Sequence, residues 1–281
     1  MAAPPETPWA DLPRASTLEE LLDLEELDRD LYRAHNPQRP FTPHLYGGQV
    51  AAQALRAAAM TVPEGRHPHS LHGYYLRSGE ADHPTIMQVT RDRDGRSFSA
   101  RHVVALQRGE AIFTALASFH VDEESGDFPG ILLPTDIPGP DDVSERSTGN
   151  EDVMYELRPV HREAQVDHGQ WEIARCFWAR TREPVSDDRV LHACGVVYLS
   201  DFSTGFAELD VKGLPRGGTS LDHVVHFHRP VRIDDWLFME LEPVSAAGAR
   251  GVYRGSVHDR DGRLGATLVQ ENLMRPPPAA G

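Results

Sequence analysis

Residues 45–60 read LYGGQVAAQALRAAAM. Two glycines open a run of helical spacing in which most side chains are alanine, and Pro63 stops it, so the spacing predicts a helix over about 48–61. Side chains this small let neighbouring backbone come close, as a sheet wrapped around the helix would. The glycine pair permits a tight entry and leaves the first helical amides, at Gly47 and Gly48, without intrahelical partners.

Working outward, Ser16-Thr17-Leu18-Glu19-Glu20 has capping-box spacing and opens a short helix to about Leu24; a first strand ends near Ala34. After the alanine helix come strand-like runs at 69–77, 85–93, 97–107 and 110–121, with turns at Asp94-Gly95 and Arg108-Gly109. In SFSARHVVALQ, Phe98, Ala100, His102 and Val104 share one face. Residues 122–150 are acidic and rich in Pro, Gly and Ser, and read as a solvated linker. The pattern then returns: strands at 154–163 and 170–181, a helix at 187–200 with small residues in its middle, and strands at 221–229, 236–243, 249–259 and 264–274, the last two turning at Asp261-Gly262.

A helix followed by an antiparallel meander thus occurs twice. An antiparallel sheet buries one face by packing on helix. The fold class is therefore α+β, a double hot-dog: two repeats, each a long central helix wrapped by a curved antiparallel sheet. The boundaries are 16–121 for the first domain, 122–150 for the linker and 151–275 for the second domain.

The chain has 281 residues, 40% of them hydrophobic, enough for a sizeable core. Its formal net charge of -15 disfavours nucleic acid and anionic membrane surfaces. No secretory signal and no apolar run of about 18 residues is evident. The two cysteines, Cys176 and Cys194, read as core residues of a cytoplasmic protein. His226 and His228 share a strand face, but two ligands are too few for a zinc site, and no metal is expected. His69 and His72 read as structural; His102 and His120 stay open between core and groove. G-x-S-x-G, G-x-x-x-x-G-K-[ST] and a strand-linked G-x-G-x-x-G are all missing.

YGGQVAAQAL, HSLHGYYLRSG, DGRSFSARHVVALQRGEAIF and LASFH resemble the first half of the acyl-CoA thioesterase II family. VSDDRVLHACGVVYLSDF, SLDHVVHFHRP, DDWLFMELEPVSAAGARGVYRG and VQENLMR resemble its second half. The resemblance runs in order from about residue 18 to 275. It implies hydrolysis of fatty acyl-CoA, of medium to long chain, to free acid and CoA, with no metal, no cofactor and no covalent intermediate. It also implies a site of aspartate, hydroxyl residue and glutamine, carried here onto Asp201, Ser220 and Gln270. Thr219 adjoins Ser220, and strand alternation lets only one of the two face the site.

Thioester hydrolysis suits such a site. A thiol of pKa about 8.5 leaves near neutral pH with little acid help. One carboxylate, Asp201, then suffices as base, with Ser220 and Gln270 fixing the water. The amides at Gly47 and Gly48 are expected to bind the thioester carbonyl. Among arginines for the CoA phosphates, Arg77, Arg101, Arg229 and Arg250 lie on strands or at their ends. The first half offers Gln53 but no counterpart of Asp201. A homo-oligomer is expected. The alternatives are a non-catalytic acyl-CoA binding module and a hot-dog acyl-CoA hydratase or dehydratase, whose Asp–His loop is not found.

Overall fold

Thr17 caps the first helix, α1 (Leu18–Leu22), in a complete capping box with Glu20. The computed structural model describes residues 15–36, 44–143, 154–160, 175–207, 215 and 218–275. Where one first strand is expected, two short ones form a hairpin, β1 (Glu25–Asp28) and β2 (Leu31–Ala34), with Asp30 at φ 60° in its turn. The alanine helix α2 spans Gly47–Ala59 and is followed by β3 (Arg66–Tyr75), β4 (Thr85–Asp94), β5 (Phe98–Gln107) and β6 (Glu110–Val121). At the β5–β6 turn, Arg108 and Gly109 both have positive φ, as a tight hairpin of right-handed twist requires.

The second half comprises β7 (Tyr155–Pro159), β8 (Cys176–Thr181), α3 (Arg189–Ser200), β9 (Thr219–Ser220), β10 (Asp222–Phe227), β11 (Leu237–Ala247), β12 (Arg250–Asp259) and β13 (Leu264–Leu273). Residues 161–163 and 170–174 of the expected strands lie outside the described residues, as do 144–150 of the linker. Among the described residues the strands join one antiparallel sheet of 13, in the order β1-β2-β4-β5-β6-β3-β10-β13-β12-β11-β8-β7, with β9 added beside β13. The two halves meet edge to edge at β3 and β10, where Val224 pairs with His72 and His226 with Ser70.

Helix α2 packs on β3 to β6 with one side and on α3 with the other. Its alanines 51, 52, 54, 57 and 58 are fully buried. The two helices approach closely: a Cβ on Gly48 would stand 2.4 Å from the carbonyl oxygen of Tyr198 in α3. The helices are also tied at their other ends, Arg56 Nη1 lying 3.2 Å from Oδ2 of Asp188, the residue that caps α3.

Phe98, Ala100, His102 and Val104 do share a face, but it is the outer one. The core side of β5 is Ser99, Arg101, Val103 and Ala105. Arg101 is 0% exposed because its guanidinium closes the C-terminal end of α2, donating to Thr61 Oγ1 at 2.8 Å and Thr61 O at 3.0 Å.

The acidic segment after β6 is exposed over residues 122–132, as a solvated tether is, but its later described part packs on the second half. Leu133, Ile137 and Val143 pack on Val160, Cys176, Trp178, Trp236 and Phe238 of the second half's outer sheet face. Trp178 Nε1 donates to Pro138 O at 2.9 Å. Its aspartates meet arginines: Asp122 with Arg189 at 2.6 Å and Asp141 with Arg260 at 2.7 Å. An acidic, Pro-rich composition reads as solvent-loving, but its few apolar residues have an aromatic sheet face to cover.

Candidate active site

Asp201 is the residue at which α3 ends, with φ -99° and ψ 5°. Gln270 faces inward from the middle of β13 and is 0% exposed. Ser220 sits in β9, paired opposite Asn272 of β13. These three residues, far apart in sequence, share one hydrogen-bonded cluster. Gln270 Nε2 donates to Asp201 Oδ1 at 2.7 Å and to Ser220 Oγ at 2.5 Å. Ser220 Oγ donates to the same Asp201 Oδ1 at 3.1 Å. The neighbouring Thr219 is exposed, as alternation demands.

Both amide protons of Gln270 are therefore spent on holding the carboxylate and the hydroxyl together. Asp201 Oδ2 is left over. It faces Gly47, the first residue of α2: a Cβ there would stand 2.6 Å from Asp201 Oδ2 and 3.1 Å from the Tyr75 ring. The start of α2 thus meets the end of α3. Tyr46, the residue before the helix, gives no side-chain cap to its first turn. The Tyr75 hydroxyl is buried with no hydrogen-bond partner among the described residues.

Behind Gln270 lies a layer that the sequence reading did not select. Tyr253 Oη donates to Gln270 Oε1 at 2.8 Å, and His223 Nδ1 lies 2.5 Å from the same oxygen. His223 Nε2 is 2.7 Å from Ser200 Oγ. Burial pushes His223 below the ordinary histidine range, opposed by the charge of Asp201. Tyr75 and Tyr253 are held well above the usual phenol range, first by burial and then by Asp201, so both are neutral donors. The signal for His223 was available: in DHVVHF the inward parity is His223, Val225, Phe227, a histidine on a core face. The corresponding inward positions of β3 and β6 are Leu71, Gly73, Ala115 and Ala117, so the polar cluster belongs to the second half.

The remaining candidates resolve differently. Gln53 is fully buried and donates to Leu21 O and His35 O, a structural role. Of the four arginines, Arg101 is interior. Arg77 pairs with Glu110 at 3.0 Å, Arg250 with Glu271 at 2.8 Å, and Arg229 with Asp127. His102 takes the outer face, bonded to Thr114 at 2.8 Å. His72 and His226 stack edge to face at 5.1 Å across the β3–β10 seam. A cleft of about 250 Å³ at the other end of the helices, lined by His67, His120 and Arg189, has its Arg189 paired with Asp122. Cys194 is buried, which pushes its thiol up to about 12 and leaves it no nucleophile. Among the described residues one group has metal-ligand spacing, Glu80, Asp82 and His83, with Glu80 paired to Arg108 at 2.8 Å. No helix among them is long and apolar enough to cross a membrane.

Most of the chain can be matched to known proteins. Residues 35–120 match the acyl-CoA thioesterase N-terminal domain and residues 134–274 the C-terminal domain. Acyl-coenzyme A thioesterase 8 of Rattus norvegicus is 34% identical, over 94% of this chain and 91% of the relative. The crystal structure of an acyl-CoA thioesterase II from Mycobacterium marinum superimposes with a TM-score of 0.77 at 37% identity, covering 94% of this chain and all of that one. A hot-dog-fold protein from Alicyclobacillus acidocaldarius, 21% identical, superimposes with a TM-score of 0.73 over 92% of this chain and 98% of its own, which speaks to the fold alone. With both domain models matched in order and relatives above 30% identity along nearly its full length, the chain belongs to the acyl-CoA thioesterase II family.

Proposed function

We propose that this acyl-CoA thioesterase hydrolyses fatty acyl-CoA of medium to long chain with a water held at Asp201, and that Ser220 and Gln270 fix that carboxylate. The observation that carries the reading is the cluster in which Gln270 and Ser220 both bond Asp201 Oδ1 while Oδ2 faces Gly47. Oδ2 accepts the proton as the water's lone pair attacks the thioester carbon, a general-base step worth roughly 10²–10⁴-fold. The tetrahedral oxyanion is met by the first-turn amides of α2 at Gly47 and Gly48 and by the Tyr75 hydroxyl; one such donor is typically worth about 10²–10³-fold. The C–S bond then breaks and CoA leaves as thiolate, near neutral pH without a dedicated acid.

Each half-sheet curls around its own helix in this reading, giving two hot-dog domains, 16–121 and 151–275, bridged by 122–150. The site is built where the α2 end of one domain meets the α3 end of the other, so neither half suffices alone. The buried free thiols fit a reducing, cytoplasmic setting. Self-association is supported by the outer sheet face. The second half's face is covered by Leu133 and Ile137, while Tyr74, Leu116 and Val269 nearer the seam stay 61%, 56% and 43% exposed. A Leu116→Asp variant that shifts the chain to a smaller species in light scattering supports that interface; an unchanged mass removes it.

The test of function is CoA-thiol release from a ladder of acyl-CoAs, wild type beside Asp201→Asn, which keeps shape and removes the base. Turnover by wild type with a loss of about 10²-fold or more in the variant is expected. Equal rates would take Asp201 out of the chemistry.

A further inference from the structure

We infer that His223 is a positioning residue of the hydrolytic site, selecting the one orientation of the Gln270 amide that can hold Asp201 and Ser220. The inference rests on the reading of those three residues given above and adds a fourth that touches neither water nor thioester.

The argument is one of donors and acceptors. Gln270 Oε1 faces two groups, Tyr253 Oη at 2.8 Å and His223 Nδ1 at 2.5 Å. A carbonyl oxygen only accepts, so both neighbours donate, and the imidazole proton sits on Nδ1. Nε2 of a neutral ring then accepts, and its partner at 2.7 Å is the Ser200 hydroxyl. Ser200 has a second acceptor within reach, Val197 O at 2.9 Å. The buried chain therefore runs Ser200 O–H to His223, His223 N–H to Gln270, and Gln270 N–H to Asp201 and Ser220.

The flipped amide is the competitor, and His223 excludes it from one side as Asp201 does from the other. Turning Gln270 over would point its carbonyl at Asp201 Oδ1, oxygen against carboxylate at 2.7 Å, and its NH₂ at His223. Such a state becomes tolerable on the histidine side only if Nδ1 loses its proton to Nε2, with Ser200 turning toward Val197. Tyr253 cannot choose between the orientations alone, because a phenol both donates and accepts. The imidazole tautomer and the amide orientation are thus coupled. The ring is 0% exposed and packs opposite Gly73 across the seam, so solvent does not supply a substitute donor.

Three substitutions separate this role from packing. In His223→Asn the side-chain amide can stand where Nδ1 stood and still donate to Gln270; in His223→Gln the amide reaches toward Ser200 instead; in His223→Phe neither the donor to Gln270 nor the acceptor for Ser200 remains. The expected result is a kcat loss of about 10- to 100-fold in the Gln and Phe variants, KM unchanged, and recovery of most of that loss in the Asn variant. Thermal unfolding of each variant confirms that the folded enzyme is being assayed. The second arm is a double-mutant cycle: His223→Phe should cost little further in a Gln270→Ala background. Equal losses in the Asn and Gln variants, a loss that sits in KM, or full additivity with Gln270→Ala would each overturn the inference while leaving the site reading intact. Wild-type turnover by Gln270→Ala alone would instead overturn the site reading, and this inference with it.

Discussion

Gly47 and Asp201, from opposite halves of the chain, are in contact: a methyl group on Gly47 would lie 2.6 Å from Asp201 Oδ2. The carboxylate that ends α3 is therefore positioned against the first residue of α2. Glycine is required there to leave room beside the carboxylate, not for a left-handed backbone, since Gly47 is not among the residues with positive φ.

Gly47→Ala should strike activity and spare stability. The new methyl meets side-chain atoms, Asp201 Oδ2 and the Tyr75 ring, so the fold can absorb it by moving the carboxylate. A displacement of about 1 Å at a reacting group costs on the order of 10²-fold in rate. Alanine is the better helix former, which offsets the strain to within about 1 kcal/mol. Gly48→Ala should add a loss of stability to its loss of activity, because helices forced apart also move the Gly48 amide from Asp201. Its methyl meets backbone, Tyr198 O at 2.4 Å, so the two helices must part, at a cost of about 1–3 kcal/mol. Steady-state CoA release and thermal unfolding, run on both variants, check the contrast; equal stability of the two would refute it.

Tyr75→Phe should stabilise the protein and slow it. The hydroxyl is buried without a partner among the described residues, an arrangement that costs about 1–3 kcal/mol. Removing it should raise the melting temperature. If the same hydroxyl meets the thioester oxygen, kcat falls by about 10-fold or more. A variant that is more stable and fully active would remove Tyr75 from the oxyanion site.

Arg101→Met should be costly to the fold without a specific effect on catalysis. The guanidinium is 0% exposed, bonds Thr61, Arg93 and Ala100 carbonyls, and pairs with Asp94 at 2.8 Å. Asp94 is 41% exposed and can turn to water, so the cost comes from the Thr61 carbonyl left buried without its donor, about 1–3 kcal/mol, and from the packing lost with the guanidinium. Lysine should not rescue it, because three donors on a point charge cannot replace a planar fork of five. Denaturant unfolding of both variants gives the answer; a loss under about 1 kcal/mol would show that the α2 end tolerates open carbonyls.

Alanine spacing revealed α2, and hairpin turns revealed the meander, because both depend on local chemistry. Asp201, Ser220 and Gln270 were legible only through their motifs; nothing local says that residues 201, 220 and 270 converge. Three things were not legible. Strand alternation groups Phe98 with His102 but does not say which side is core, and the side chosen follows from Arg101 reaching the distant end of α2. The segment after β6 reads as solvated because its acidic and proline residues outnumber Leu133 and Ile137, yet those two find Trp178 and Phe238. His223 carries no local mark beyond its inward parity in DHVVHF, while the more conspicuous His226 lies on the other face of the strand.

Acid should destabilise the fold in two stages, the first set by histidines. Burial depresses His67, His69, His72, His192, His223, His228 and His258 below the ordinary histidine range, so each prefers to be neutral when folded. In the unfolded chain all titrate near pH 6.5. Between that value and each lower folded value the unfolded state binds more protons, so stability is complete above about pH 6.5 and declines as pH falls. His192, His223 and His258 should dominate, being 4%, 0% and 1% exposed. The second stage begins near pH 4, about where carboxylates titrate in the unfolded chain. Glu156 is raised by burial but brought below its usual range by Arg180 and Arg158, and Asp94 is lowered chiefly by its hydrogen bond from Ser99. Protonating these groups removes stability that was present at higher pH. Melting temperatures should therefore fall measurably between pH 7.5 and 5.5, above the range in which carboxylates of the unfolded chain titrate. Replacing His258, whose Nδ1 is buried without a partner, by Phe should flatten part of that first decline while leaving the second. A melting temperature independent of pH down to 5 would show that these histidines open to solvent when protonated.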